Sequence, residues 1–510
     1  MIGNVWVALP LACLGCGAFA VYLVARLLPV SLEGSRNRWL AACTAMVFGA
    51  ALATIVPLSA ATRVAYRAGS VLPTWGRSEA GGAFLQADPG ALVIVAAALG
   101  LGGLVAIYSG HYISLDRRYE IYYPLLLLLV VGLVGMVLAA DLFSLYMFCE
   151  LMSVAAYVLV AFRRRTRTAI EAGFKYLMMG SVGTIILLMG ISFVYRERGQ
   201  IALQVAGGAA WAEMGPWTRA GLACLLVGLG VKSALVPMHT WLPDAHGRAP
   251  SSVSAMLSGV VIQAAFYTLL KAGLGLGWPA RDLGTLLVGL SMLNMTLGNG
   301  LALVQVYTKR LLAYSSLAQM GYMMFSMGIG LHYGLANSIQ AAFFLLVAHA
   351  AMKGLAFLSK GVCHFYCDTT TIAQLRGMAR RLPLVAVAFV VALGGLAGIP
   401  PLAGFAGKWF VLTGALSTPD ALTYVGLAVF LINSLLSLGY YLPLAATLFS
   451  PPPQARGGAA EDERVRISPW MAVPLVILGG LILAIGLYPG PWLGLTADAG
   501  TYLLAMGGER

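Results

Sequence analysis

Residues 225–246 read LLVGLGVKSALVPMHTWLPDAH. Seven apolar or glycine residues lead into Lys232, and Pro237 follows five residues later. A lysine this deep in an apolar run costs roughly 2.5–3.5 kcal/mol in a bilayer, so it must face a protein interior. Proline removes a backbone hydrogen bond and opens the helix, leaving carbonyls free to hold water beside the ammonium. Pro243 makes a second interruption, and His239 and His246 follow in the same segment. Residues 398–412, GIPPLAGFAGKWFVL, repeat the arrangement in reverse: Pro400 and Pro401 first, then Lys408, with Gly404 and Gly407 permitting close approach.

The rest of the chain fits this setting. Of its 510 residues, 60% are hydrophobic and 10% charged, against about 25% charged in a soluble chain. A soluble protein of this composition could not cover its surface. A span needs about 20 apolar residues. That rule gives an all-α integral membrane chain of about 14 transmembrane helices, near residues 5–25, 39–62, 90–112, 122–140, 142–162, 172–195, 220–242, 251–272, 283–305, 311–330, 335–359, 383–417, 422–448 and 468–490. The seventh and twelfth are broken, and proline-interrupted helices at corresponding places point to paired repeats around a transport path. Helices 4–8 and 9–13 would form inverted repeats. The expected divisions are 1–121, 122–273, 274–448 and 449–510, the last opening on a polar, flexible loop at 451–467. The N-terminal apolar run lacks a basic leader, so it reads as a first span rather than a cleaved peptide.

The net charge of +13 is dispersed between apolar runs, which argues against nucleic-acid binding. With both termini on the outer side, odd-numbered connections carry 19 of the 32 Lys and Arg, even-numbered connections and the C-terminus nine, and helices four. This is the positive-inside pattern, strongest at Arg163, Arg164, Arg165 and Arg167. The expected location is a cell membrane, the inner membrane of a bacterium.

The intramembrane ionisable residues are few. Glu150 sits mid-helix in DLFSLYMFCELMSVAAYVL. His349 and Lys353, in FFLLVAHAAMKGLAFL, are i, i+4 neighbours on one helical face. Lys232, His246 and Lys408 complete the set, and His239 is a weaker candidate. Imidazole, with an ordinary pKa near 6.5, is a ready proton carrier. Lys175 follows Glu171 by four residues, a spacing that favours a local ion pair, but beside the arginine cluster it reads foremost as a lysine snorkelling to the interface. Cys13 and Cys16 lie in a glycine-rich apolar run and read as packing. Cys363, His364 and Cys367 cluster without a second ligand pair, which argues against a metal site.

Five stretches together resemble the antiporter-like, proton-conducting membrane subunits of respiratory complex I, Mrp-type cation/proton antiporters (the D subunit) and membrane-bound hydrogenases. They are DLFSLYMFCELMSVAAYVLVA with EAGFKYL, KSALVPMHTWLPDAHGRAPSSVSAMLSG, KRLLAYSSLAQMGYM, HAAMKGLAFL and GIPPLAGFAGKW. The resemblance implies 14 helices in inverted repeats. It implies Glu150 paired with Lys232, then Lys353 with His349, then Lys408, as a proton path. It also implies no flavin, haem or iron–sulfur cluster, and partner membrane subunits, with protons moved and Na+ a candidate coupled ion. Where relatives often carry a lysine in the eighth helix this chain has Gln263, which can bond water but holds no proton charge. Arg248 and Tyr307 also depart from the pattern, each replacing an acid. The chain lacks the long lateral-helix extension, which leans toward the shorter members, and EAGFKYL leans toward the D-type and hydrogenase branch. A non-conducting structural subunit and a stand-alone secondary transporter are the alternative readings.

Overall fold

A computed structural model describes residues 5–27, 33–76, 84–116, 118–163, 166–203, 214–451 and 464–508. It is almost wholly helical, as lipid requires, because backbone groups in a bilayer must be satisfied within the protein. The first part comprises α1 (Val5–Leu27), α2 (Glu33–Arg67), a two-stranded antiparallel ribbon β1 (Thr74–Trp75) and β2 (Leu85–Gln86), α3 (Pro89–Tyr112), α4 (Tyr119–Leu138), α5 (Leu142–Val160) and α6 (Arg167–Arg198). Then follow α7 (Pro216–Lys232), α8 (Trp241–Arg248), α9 (Ser251–Met256), a π-helical turn (Leu257–Val261), α10 (Ile262–Gly275), α11 (Ala280–Leu303), α12 (Thr308–Tyr333) and α13 (Ala336–Cys367). The chain continues through α14 (Met378–Arg381), α15 (Pro383–Ala397), α16 (Ala403–Leu416), α17 (Ala421–Phe449), α18 (Pro469–Leu487) and α19 (Gly490–Met506).

Eleven of these helices are long and apolar enough to cross a membrane. The other three expected spans have evident reasons to differ. The seventh and twelfth are broken into α7/α8 and α15/α16, and α12, at 26 residues, is diluted by Lys309, Arg310 and several serines. Most of the loop expected at 451–467, and Arg164 and Arg165, lie outside the described residues. The sequence reading missed α19: its 17 residues are too few for a span, and Pro489 and Pro491 obscured its start.

The continuous segment Ser251–Gly275 and the helix α13 are buried on nearly all sides and form the centre of the bundle. Around them α4 packs along α5, α6 along α7 and α11 along α12. Small residues set these approaches, as is usual in membrane bundles. A Cβ on Gly284 of α11 would lie 2.5 Å from the His332 backbone nitrogen of α12 and 2.7 Å from the Gly328 carbonyl.

Both helix breaks are stabilised by side chains that take up the freed backbone groups. At the first, Trp241 Nε1 donates to the Val231 carbonyl (2.8 Å), and Asn294 Oδ1 accepts from the Val236 N–H (2.9 Å). At the second, Gly398 adopts φ +87°, Gln319 Nε2 donates to the Leu396 carbonyl (2.9 Å) and Lys408 Nζ to that of Ala397 (3.1 Å).

Candidate functional site: a buried polar axis

The breaks and the central helices bring the expected residues into the interior. Lys232 is the last residue of α7, at the break itself, and is 2% exposed. Its Nζ donates to Ser153 Oγ (2.7 Å) and Tyr157 OH (2.9 Å) of α5. Ser153 and Tyr157 follow Glu150 at i+3 and i+7, so all three share one helical face. The expected contact between Glu150 and Lys232 is not formed. The two hydroxyls hold the ammonium instead, and Glu150 Oε1 is buried without a hydrogen-bond partner.

His246 lies in α8, fully buried and stacked on Phe357 of α13 with ring centroids 5.2 Å apart; neither ring nitrogen has a partner. His239 lies in the break between α7 and α8, and its Nδ1 is also unpartnered. Gln263 follows the π-helical turn, fully buried, with both amide atoms unpartnered. Such turns are frequent at functional sites. The same turn offers the Ser258 carbonyl to His349 Nε2 at 3.3 Å, a contact that makes Nε2 the donor and leaves Nδ1 without a partner. One helical turn on, Lys353 Nζ donates to the Leu312 carbonyl (2.7 Å) and to Ser315 Oγ of α12.

Lys408, in α16, bonds the Ala397 carbonyl and lies 4.7 Å from the ring centroid of Tyr322. Asn299 Nδ2 donates to Tyr322 OH (3.1 Å) and to Asn433 Oδ1 (3.0 Å), and Tyr440 OH donates to Asn299 Oδ1 (2.8 Å). The three lysines of the axis are therefore each held by neutral oxygens or an aromatic face.

Lys175 pairs with Glu171 (2.7 Å) and Asp244 (3.3 Å) and is half exposed, which settles it as an ion pair at the surface rather than part of the axis. Cys363, His364 and Cys367 lie at the end of α13, where His364 Nδ1 is 3.1 Å from the Thr369 carbonyl. Two ionisable residues that sequence reasoning missed are Asp88 and Lys271, an ion pair of 2.9 Å whose side chains are 0% and 2% exposed.

The segment that carries this axis, residues 139–437, matches the family described as NADH:quinone oxidoreductase/Mrp antiporter, transmembrane region. The chain belongs to this family. It contains all seven expected axis residues within the matched segment. The subunit is 31% identical over 485 residues to NADH-quinone oxidoreductase subunit N of Desulforudis audaxviator, covering 92% of this chain and 93% of that one. It is 32% identical over 430 residues to F(420)H(2) dehydrogenase subunit N of Methanosarcina mazei, covering 81% and 83%. A chain of respiratory complex I from Thermus thermophilus superposes with TM-score 0.75 at 28% identity, over 96% of this subunit and 99% of that chain. A chain of the Mrp complex from Dietzia sp. superposes with TM-score 0.82 at 24% identity, over 97% and 99%, a likeness of fold. The subunit is thus an antiporter-like, multi-pass membrane protein of this family.

Proposed function

We propose that this subunit carries protons through its interior along Glu150, Lys232, His246, Gln263, His349, Lys353 and Lys408, as one member of a larger membrane complex. The observation that carries the reading is the run of buried groups lacking protein partners: Glu150 Oε1, both nitrogens of His246, both amide atoms of Gln263 and Nδ1 of His349. Buried polar groups need hydrogen bonds, and water is the natural partner for those the protein leaves unmatched. Burial disfavours an ammonium and a nearby carboxylate favours it, so a change at Glu150 alters how firmly Lys232 holds its proton. Lys232 then hands the proton toward His246, water held at Gln263 and Lys353, and Lys408 releases it. The driving change comes from partner subunits, in keeping with relatives that are subunits of NADH-quinone and F(420)H(2) dehydrogenases. The charge asymmetry supports cytoplasmic placement of the Arg163 end and both termini outside, and the bacterial source of the relative from Desulforudis audaxviator supports a bacterial inner membrane. The two broken helices, at corresponding places five spans apart, support reading 122–273 and 274–448 as the two repeats.

Gln263 supports a second reading, a structural subunit whose path does not conduct. Proton translocation by the intact complex separates the two. Replacing Lys232 or Lys353 by alanine abolishes it if the subunit conducts and leaves it at native rates if the subunit is structural.

A further inference from the structure

The buried pair Asp88–Lys271 lies outside the axis described above. Lys271 is on α10 with Gln263 and Tyr267, and the three follow at i, i+4 and i+8. Residues four apart on a helix are neighbours, so they form one stripe, about 12 Å long. The stripe runs from the unpartnered amide of Gln263 to the ammonium of Lys271. Lys271 Nζ meets Asp88 Oδ2 at 2.9 Å and donates to the Val137 carbonyl of α4 at 3.1 Å. Asp88 caps α3, with Oδ1 accepting from the Ala91 N–H at 2.8 Å and from the Tyr267 hydroxyl. Oδ2 meets only the Lys271 ammonium and makes no directed hydrogen bond.

The surroundings are built to keep this contact. A Cβ on Gly90 would lie 2.9 Å from the Tyr267 hydroxyl and 3.0 Å from Phe343 Cζ of α13, so glycine is what lets Tyr267 reach Asp88. Tyr502 stands on α19, which packs against α3, the helix that Asp88 caps. Tyr502 packs edge-on against Tyr66 of α2, with centroids 5.9 Å apart. Tyr66 is half-buried, and the next residue, Arg67, is exposed and pairs with the largely buried Asp498 (3.1 Å). The Tyr267 hydroxyl thus meets the pair on the side of Gln263, and Tyr502 and Tyr66 stand on two helices that pack against α3, at the end opposite Arg163.

We propose that Asp88, Lys271 and Tyr267 form a further proton-transfer site, an outlet that runs from Gln263 along α10 to the outer surface past Tyr502 and Tyr66. The inference rests on the proton-carrying reading above. In the resting pair the charges cancel. A proton arriving through Gln263-bound water forms an O–H bond on Asp88 Oδ2, leaving a neutral acid beside the ammonium. Loss of that proton toward Tyr502 breaks the bond and restores the ion pair, so the site cycles without net change. Gln263 then serves as a water-holding link, and the titratable group absent there is supplied two turns further along the same helix.

The test uses the intact complex in membrane vesicles. Asp88→Asn with Lys271→Gln keeps the local charge sum and the packing but leaves nothing to take the proton. Assembly with proton translocation reduced at least twofold is expected; translocation at the native rate overturns the proposal. If that double variant fails to assemble, Tyr267→Phe decides, because it removes one hydroxyl and keeps the ion pair. A severalfold loss supports the outlet, and an unchanged rate overturns it. Lys353→Ala is the parallel arm. If it abolishes translocation while both other variants pump normally, only the outlet falls; if it too pumps normally, the proton-carrying reading falls.

Discussion

At the scale of single residues, the lysines were legible and their partners were not. A charge inside an apolar run stands out because its insertion is costly, and this marks Lys232, Lys353 and Lys408 in the bare sequence. Ser153, Tyr157, Ser315, Gln319 and Tyr322 carry no such signal, since hydroxyls and amides are ordinary in helices, yet they are what the ammonium groups and the breaks bond to or lean on. Asp88 lies just ahead of the span expected at 90–112 and Lys271 at the end of the one expected at 251–272, where span boundaries are least certain. Glu150 was legible as an intramembrane acid, but its distance from Lys232 depends on side-chain placement that no spacing rule gives. The two hydroxyls make a specific prediction. A hydrogen bond to a charged group is worth about 1.5–3 kcal/mol, so Ser153→Ala with Tyr157→Phe frees the Lys232 ammonium toward Glu150. Proton translocation by the complex should fall severalfold with assembly intact; an unchanged rate would show that these hydroxyls do not hold the working lysine.

At the scale of elements, prolines announced both broken helices, and the structure shows what prevents the breaks from being costly: Trp241, Asn294, Gln319 and Lys408 occupy the exposed backbone groups. The π-helical turn before Gln263 had no sequence signal, because it arises from how α10 packs among its neighbours. Helix pairing rests on small residues, and here two glycines of α11 serve as mutual controls. A Cβ on Gly284 would lie 2.5 Å from the α12 backbone, whereas one on Gly289 would meet nothing within 4 Å. Gly284→Leu should push α11 from α12, costing on the order of 1–3 kcal/mol, seen as a lower melting temperature of the purified complex. Gly289→Ala should be neutral or raise stability by up to about 1 kcal/mol. Equal effects would contradict this packing.

At the scale of the whole molecule, composition alone established a bundle of membrane helices, and the count of 14 spans became clear only through pieces, since 11 helices are long and apolar enough by themselves. α19 escaped because its 17 residues fall short of the length that the rule for spans requires. Its placement matters, as it packs against α3, the helix that Asp88 caps, and brings Asp498 to Arg63 and Arg67. The orientation has its own test. In a background without native cysteines, a cysteine in place of Arg167 should react with a membrane-impermeant maleimide in inside-out vesicles and not in right-side-out ones, and one in place of Ser417 should do the opposite. The reverse labelling would invert the proposed path.

The central claim is that buried lysines give up and regain protons in the course of transport. It is tested most directly at Lys353, which is fully buried at the centre of the bundle. Arginine keeps the charge and the donors but does not release its proton. The measurement is proton translocation by the intact complex in vesicles with Lys353→Arg beside Lys353→Ala. The account predicts that both variants lose translocation while remaining assembled. An arginine variant that translocates protons at the native rate would contradict it.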